Sequence, residues 1–474
     1  MKNRSNEVDT SVFVFVMLFL HRILLFYSLD VKYTFDSLDY MTKNGFDCFS
    51  GKLDRYRLPV YPMIIEVFQK LFTYETGLII CIFQLLLSLL SLIFLYLTVK
   101  KVTKNKTVSL IISCLYSTLN AIAGWDKVIL TESISLSLTV FALYGIVSFL
   151  MENKVRYAVL ASGILVVGCF LRAVFVIYAG MFFGALILIL ITSLFSKKNK
   201  TSSNYKRNYL LSIGAASVPV ILSLVYAFCF YTQFGAFTMS DSYLGQQLYN
   251  VIRLDMYKDC TNNEITKIAD EITSSKIPEK AKPGDKILDP EIQQELQKIV
   301  DSITGSSYDL EKMDNYSMGR FYIMDKFSRD DVKAFVDVSM KNHRLINIQR
   351  MISNSNDKFI TNRYISISYD RNTDILYSVL NDFISVITIT MLHAFIVSII
   401  EIILFFRYLL KNKEAKWIRL GLGAFILSTV LLSLIGTNDE YARTAITALP
   451  FMFVALSFYL KRAFQYLKKE DFSK

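Results

Sequence analysis

The chain has 474 residues, 53% of them hydrophobic, with 36 Phe and 28 Tyr against only 7 Pro. Its apolar residues fall in long unbroken runs rather than the amphipathic periodicity of a soluble core, which excludes a water-soluble fold. The formal net charge of +11 does not point to nucleic acid, because no basic face with interleaved aromatics lies in a folded soluble unit.

Runs of about 18 or more apolar residues cross a bilayer as helices, since about 20 residues at about 1.5 Å each span the hydrocarbon and lipid offers the backbone no partner. About ten spans are expected on that criterion, at 11–29, 77–99, 108–125, 129–150, 157–171, 173–195, 209–232, 378–400, 418–436 and 444–460. The stretch 157–195 is too long for one span and is divided at Arg172. The fold class is thus all-α: a polytopic transmembrane helical bundle with outer juxtamembrane helices and a small, mostly helical extracytoplasmic domain.

Basic residues alternate between the connections. One set holds Lys100, Lys101, Lys104 and Lys106, then Lys154 and Arg156, then Lys197, Lys198, Lys200, Lys206 and Arg207. It continues with Lys411, Lys413, Lys416 and Arg419 and ends at Lys461, Arg462, Lys468 and Lys469. The intervening short connections carry one basic residue each, Lys127, Arg172 and Arg443. The positive-inside rule makes the rich set cytoplasmic, so the chain is expected as a multi-pass protein of the cell membrane with both termini inside. Lys2 and Arg4 ahead of the first run imitate a signal peptide, but no small-residue cleavage site follows, and the first helix reads as an uncleaved anchor.

Residues 1–232 form an N-terminal transmembrane module whose first outer loop is 30–76, residues 233–375 an extracytoplasmic region, and residues 376–474 C-terminal transmembrane helices. The first outer loop carries Asp36, Asp39 and Tyr40 at i, i+3 and i+4, which a helix places on one face. That face is either a reactive one at the headgroup layer or a solvated acidic one. Arg57-Leu58-Pro59-Val60-Tyr61-Pro62 follows; its two prolines oppose regular helix and fix an extended or turned entry to the next element. Arg57 beside that turn is placed either to meet a phosphate or to snorkel.

Trp125-Asp126-Lys127-Val128-Ile129-Leu130-Thr131-Glu132-Ser133 is a tight outer connection. Glu132 enters the apolar run, where a carboxylate is costly unless it faces a cavity or a partner. Arg22 interrupts the first span, where it is either a functional candidate or a residue that snorkels from a tilted helix, the second being preferred. In the larger outer region, Asp289-Pro290-Glu291 reads as a helix start, with Ile292, Leu296, Ile299, Val300 and Ile303 on one face and a Pro- and Gly-bearing linker at 277–289 before it. The last outer loop, 436–443, ends at Arg443 ahead of the final span. Cys81, Cys114, Cys169 and Cys229 lie in or beside spans as packing residues. Cys48 and Cys260 both fall on the outer side, where pairing is one alternative. His21, His343 and His393 are isolated, and no zinc-type spacing occurs.

In their order, these motifs resemble the membrane glycosyltransferases of the GT-C superfamily, particularly the bacterial family-39-like branch. The residues that carry the resemblance are Asp36 with Tyr40, Arg57-x-Pro59-x-Tyr61-Pro62, Thr131-Glu132, Arg172 and Arg443, together with Phe234–Ser240 as the start of an outer domain. The first loop lacks the Asp-Glu pair of some members, and 233–375 matches no subfamily. The resemblance implies transfer of a sugar from a polyprenyl-phosphate donor to a glycan, lipid or protein acceptor on the outer side, with inversion. It implies Asp36 as general base with Asp39 as the alternative, Arg57, Arg172 and Arg443 as phosphate ligands, and Glu132, Tyr40 and Tyr61 as groups that orient the substrates. No cofactor is called for; a divalent metal stays open, since Asp36 and Asp39 alone are too few ligands to define a site. A polysaccharide polymerase or ligase, a transporter of lipid-linked sugars, and a signalling or anchoring protein without catalysis are the rival readings.

Overall fold

The computed structural model describes residues 3–29, 31–32, 35–41, 43–72, 76–195, 203–258, 263–274, 315–355, 416–436 and 446–470. The expected span at 378–400, the helix starting at Asp289, the linker 277–289, Cys260 and Arg443 lie outside these residues. Every regular element among the described residues is helical. In chain order they are α1 (Asn3–Ser28), α2 (Phe35–Met41), α3 (Val60–Leu71), α4 (Thr76–Thr103), α5 (Lys106–Thr118), α6 (Asn120–Ala123), α7 (Glu132–Glu152), α8 (Val155–Leu171), α9 (Val174–Phe195) and α10 (Ser203–Phe234). Then follow α11 (Ser242–Arg253), α12 (Asn263–Ser274), α13 (Asn315–Lys326), α14 (Arg329–Asn342), α15 (Arg344–Ser355), α16 (Lys416–Gly436) and α17 (Leu449–Glu470).

Among the described residues, six helices are long and apolar enough to cross a membrane: α1, α4, α7, α9, α10 and α17, with α8 and α16 as shorter apolar helices. The protein is therefore an all-α polytopic membrane protein. The division at Arg172 falls where α8 ends and α9 begins. The span expected at 108–125 takes another form. α5 stops after 13 residues, about 20 Å of rise against the roughly 30 Å of hydrocarbon, and the chain continues through α6 into a 3-10 turn at Gly124–Lys127.

The bundle centres on α4 and α7. Small polar residues on these helices, among them Ser88, Ser91, Ser135 and Ser137, are buried and let the backbones approach. Several of their hydroxyls bond back to carbonyls one turn earlier, as in Ser135 Oγ to Thr131 O at 2.6 Å and Ser91 Oγ to Ser88 O at 2.7 Å. A second apolar core joins α11 to α14. Leu244, Leu248, Val251 and Ile252 recur at helical spacing on α11 and meet Ile265, Ala269, Ile323, Val332 and Phe335, the pattern of an amphipathic helix closing on its neighbours. Two main-chain bonds join the chain after α1 to the chain before α7: Lys32 N to Lys127 O at 2.8 Å and Ile129 N to Lys32 O at 3.1 Å.

Candidate active site

The acidic face of the first loop is helical and turned inward. Asp36, Asp39 and Tyr40 lie on α2, with Asp39 and Tyr40 buried. Both carboxylates grip one guanidinium: Arg57 Nη2 lies 2.6 Å from Asp36 Oδ1, and Arg57 Nε donates to Asp39 Oδ2. The same guanidinium covers the Tyr40 ring, its carbon 4.5 Å from the ring centre, a cation–π contact that adds to the ion pairs. Burial disfavours the charge on Arg57, but Asp36 and Asp39 more than offset it and hold its pKa well above the usual value.

The loop between α2 and α3 is shaped for this grip. Asp54 Oδ1 accepts from the amides of Tyr56 (2.8 Å) and Arg57 (2.7 Å), an Asx-type turn that sets the direction of the arginine. Lys43 bridges Asp54 at 2.9 Å and Asp39 at 3.7 Å. Burial lowers the Lys43 pKa, and Asp54 and Asp39 outweigh that and raise it. Among the described residues, the three carboxylates of Asp36, Asp39 and Asp54 thus face the two cations of Arg57 and Lys43. Of the two α2 carboxylates, Asp36 is the more open, with 25% of its side chain exposed against 8% for Asp39. A 3-10 turn at Gly45–Ser50 packs on α3. A Cβ on Gly45 would lie 2.2 Å from Met63 N and 2.7 Å from Pro59 O, so only glycine allows that approach.

The two prolines act differently from the sequence expectation. Pro59 caps α3, and the helix starts at Val60 with Pro62 inside its first turn. First-turn amides have no intrahelical partner in any helix, so proline costs nothing there. Helix geometry then drives Tyr61 fully inward, edge-on to Tyr40 with ring centres 5.0 Å apart. Its hydroxyl donates to Gln84 Oε1 on α4 at 3.0 Å. Gln84 Nε2 in turn donates to Val128 O at 2.9 Å, with Asp126 O and Trp125 O at 3.3 and 3.4 Å. A continuous path therefore runs from Arg57 through Tyr40, Tyr61 and Gln84 to the connection at 125–128.

That connection leads into Glu132, the first residue of α7, where a helix N-terminus favours a carboxylate. Glu132 is fully buried and pairs with Arg172, which caps α8, at 3.4 Å. Burial above all, then the neighbouring Cys81, Tyr40 and Glu132, push the Tyr61 phenol well up. Deeper in, Arg22 is 1% exposed. It does not snorkel: it pairs with Asp126 at 2.9 Å and also donates to Ser88. Asp126 accepts from Ser133 Oγ at 2.7 Å. Burial raises the Asp126 pKa, with Arg22 and the two serines opposing.

The structure thus joins Asp36, Asp39, Tyr40, Arg57 and Tyr61 in one cluster and Glu132 with Arg172 in a second; Arg443 lies outside the described residues. Sequence reasoning missed Lys43, Asp54 and Gln84. Gln84 left a signal, as the one amide side chain in the 76–103 run, since polar groups within spans are costly without a partner. Among the described residues no group of three or more His, Cys, Asp or Glu is placed to hold a metal ion. A cation at Asp36 and Asp39 would have to displace Arg57.

No family model matches the chain, and no curated protein matches it. Among solved structures, the archaeal oligosaccharyltransferase AglB from Archaeoglobus fulgidus, in complex with an inhibitory peptide and a dolichol-phosphate, is similar at a TM-score of 0.44 and 11% identity. The alignment covers 97% of this chain and 51% of that one, so the chain spans about half the length of that protein.

Proposed function

We propose that the chain is a membrane glycosyltransferase of the GT-C type that moves a sugar from a polyprenyl-phosphate donor to a glycan, lipid or protein acceptor on the outer face of the cell membrane. The observation that carries this reading is the Asp36–Arg57–Asp39 cluster, in which two carboxylates share one guanidinium beside an apolar helical bundle. A lipid phosphate leaves without protonation, so one carboxylate suffices as base, unlike the two that glycoside hydrolysis uses. Asp36, the more open of the pair, takes the proton of the acceptor hydroxyl, with Asp39 as the alternative. The hydroxyl oxygen bonds to the anomeric carbon, the bond from that carbon to the phosphate oxygen breaks, and the electron pair leaves with the lipid phosphate. A single displacement of this kind inverts the anomeric centre.

Arg172 and Arg443 are the proposed ligands of the departing phosphate, where a guanidinium gains from the growing charge. Arg57, committed to Asp36 and Asp39, holds the base in place rather than meeting phosphate. Glu132 keeps Arg172 turned inward. Tyr61, with no exposed surface, orients substrate only through Tyr40, against whose ring it packs.

The test is a purified-protein assay with candidate polyprenyl-phosphate sugars and an acceptor extract, comparing wild type with Asp36→Asn. Free lipid phosphate released by the wild type alone supports the reading. Full turnover in Asp36→Asn together with loss in Asp39→Asn transfers the base to Asp39. Movement of the intact donor across a vesicle bilayer, with no bond made, would establish transport instead.

A further inference from the structure

The segment 51–58, which ends in the Arg57 turn, is fastened along its length to residues far away in the chain. Gln233 at the end of α10 exchanges two bonds with it, accepting from Leu53 N at 3.1 Å and donating to Gly51 O at 2.8 Å. Leu53 and Leu58 pack with Tyr226, Phe230, Ala236 and Met239. Asp241 N donates to Arg55 O at 2.8 Å, and Ser242 Oγ to Tyr56 O at 2.5 Å. The Tyr56 side chain packs against the α11–α14 core, its ring edge-on to Phe321 at 5.8 Å.

At the centre of this contact is a carboxylate with no exposed side-chain surface. Asp241 meets Arg55 Nε at 2.9 Å through one oxygen and Arg329 Nε at 2.8 Å through the other. Arg55 Nη1 also donates to Met324 O at 2.8 Å. Each oxygen of this buried carboxylate has its own arginine, so loss of either leaves one oxygen without its charged donor. Arg55 is two residues from Arg57, and Asp54 fixes the turn between them.

We propose that Arg55 and Asp241 are positioning residues: they lock the loop onto the α11–α14 unit and thereby hold Arg57 against Asp36 and Asp39. Asp241, the residue before α11, then ties the second core to the loop, and a ligand that shifts the start of α11 is felt at Arg57. The significance for catalysis rests on the glycosyl-transfer reading above; the lock itself does not.

The experiment is amide hydrogen exchange on the full chain in lipid nanodiscs, with turnover measured on the same preparations. Arg55→Gln is expected to speed exchange at Leu53, Tyr56 and Arg57 about tenfold or more, since a bond to a charged partner is lost, with α11 and α14 amides unchanged. Arg329→Gln leaves the Arg55–Asp241 pair intact and is expected to loosen α14 while 52–58 keeps its protection. With a competent donor, Arg55→Gln lowers kcat about tenfold or more at constant KM, and Arg329→Gln leaves kcat unchanged. Unaltered exchange in Arg55→Gln overturns the proposal. Equal opening of the loop in both variants also overturns it, because Asp241 would then serve only the stability of the second core. If the wild type turns over no donor, the glycosyl-transfer reading falls and the exchange data still decide the lock.

Discussion

The path through Gln84 makes a quantitative prediction. Gln84→Leu keeps the side-chain volume close and removes only the amide. Tyr61, fully buried, loses the acceptor of its hydroxyl at 3.0 Å, and an unmet buried hydroxyl costs about 1–3 kcal/mol. Val128 O loses the Gln84 donor at 2.9 Å but keeps the amide of Leu130, also at 2.9 Å, so only the net value of one bond is lost there, about 1 kcal/mol. The single variant should therefore be about 2–4 kcal/mol less stable. Tyr61→Phe removes the stranded hydroxyl, so the double variant should recover about 1–2 kcal/mol relative to the sum of the two singles. Equilibrium unfolding of the full chain by SDS in mixed micelles reads all three values. Additivity within about 0.5 kcal/mol would refute the path from α3 through α4 to the 125–128 connection.

Arg22→Met should destabilise by about 3–5 kcal/mol at neutral pH, because it strands Asp126 in the bundle. Burial raises the Asp126 pKa and Arg22 opposes that rise, so the deficit should shrink as pH falls toward 4 and the carboxyl takes up a proton; a pH-independent deficit in the same unfolding assay would count against the pairing. Raising the pH should release the first loop. The folded Tyr56 phenol is pushed up to about 12 from 10.0, by burial first, so its contribution is complete below pH 10 and is lost between 10 and about 12, worth about 3 kcal/mol at most. Lys43, raised above 10.5 by Asp54 and Asp39 after burial is overcome, is likewise lost upward, and exchange at residues 43–57 followed from pH 8 to 11.5 checks both. Gly45→Ala places a carbon against the Met63 and Pro59 backbone and should cost about 1–3 kcal/mol, read as a lower unfolding midpoint with faster exchange in 45–59.

The long apolar runs were legible because lipid leaves a helix no alternative, and Arg172 correctly marked the break between α8 and α9. What failed was local. The 108–125 run is apolar enough to span, yet the chain turns at Leu119, since Gln84 and the bridge to Lys32 give the carbonyls and amides beyond it partners that no one-dimensional pattern displays. Pro62 suggested a non-helical entry because residue type does not reveal that its missing amide falls in a first turn. Arg22 invited snorkelling because its counter-ion, Asp126, lies 104 positions away. Asp36, Asp39, Tyr40, Arg57 and Tyr61 were legible as residue types at spacings. That Arg57 pairs with both Asp36 and Asp39 is a three-dimensional fact about three charges within one hydrogen-bond shell.

The main-chain bridge at Lys32 bears on how the first loop tolerates change. Both of its bonds use backbone atoms, and one of them needs the Lys32 amide as donor. Proline at that position would therefore break the join between the chain after α1 and the chain before α7, whatever else it preserved.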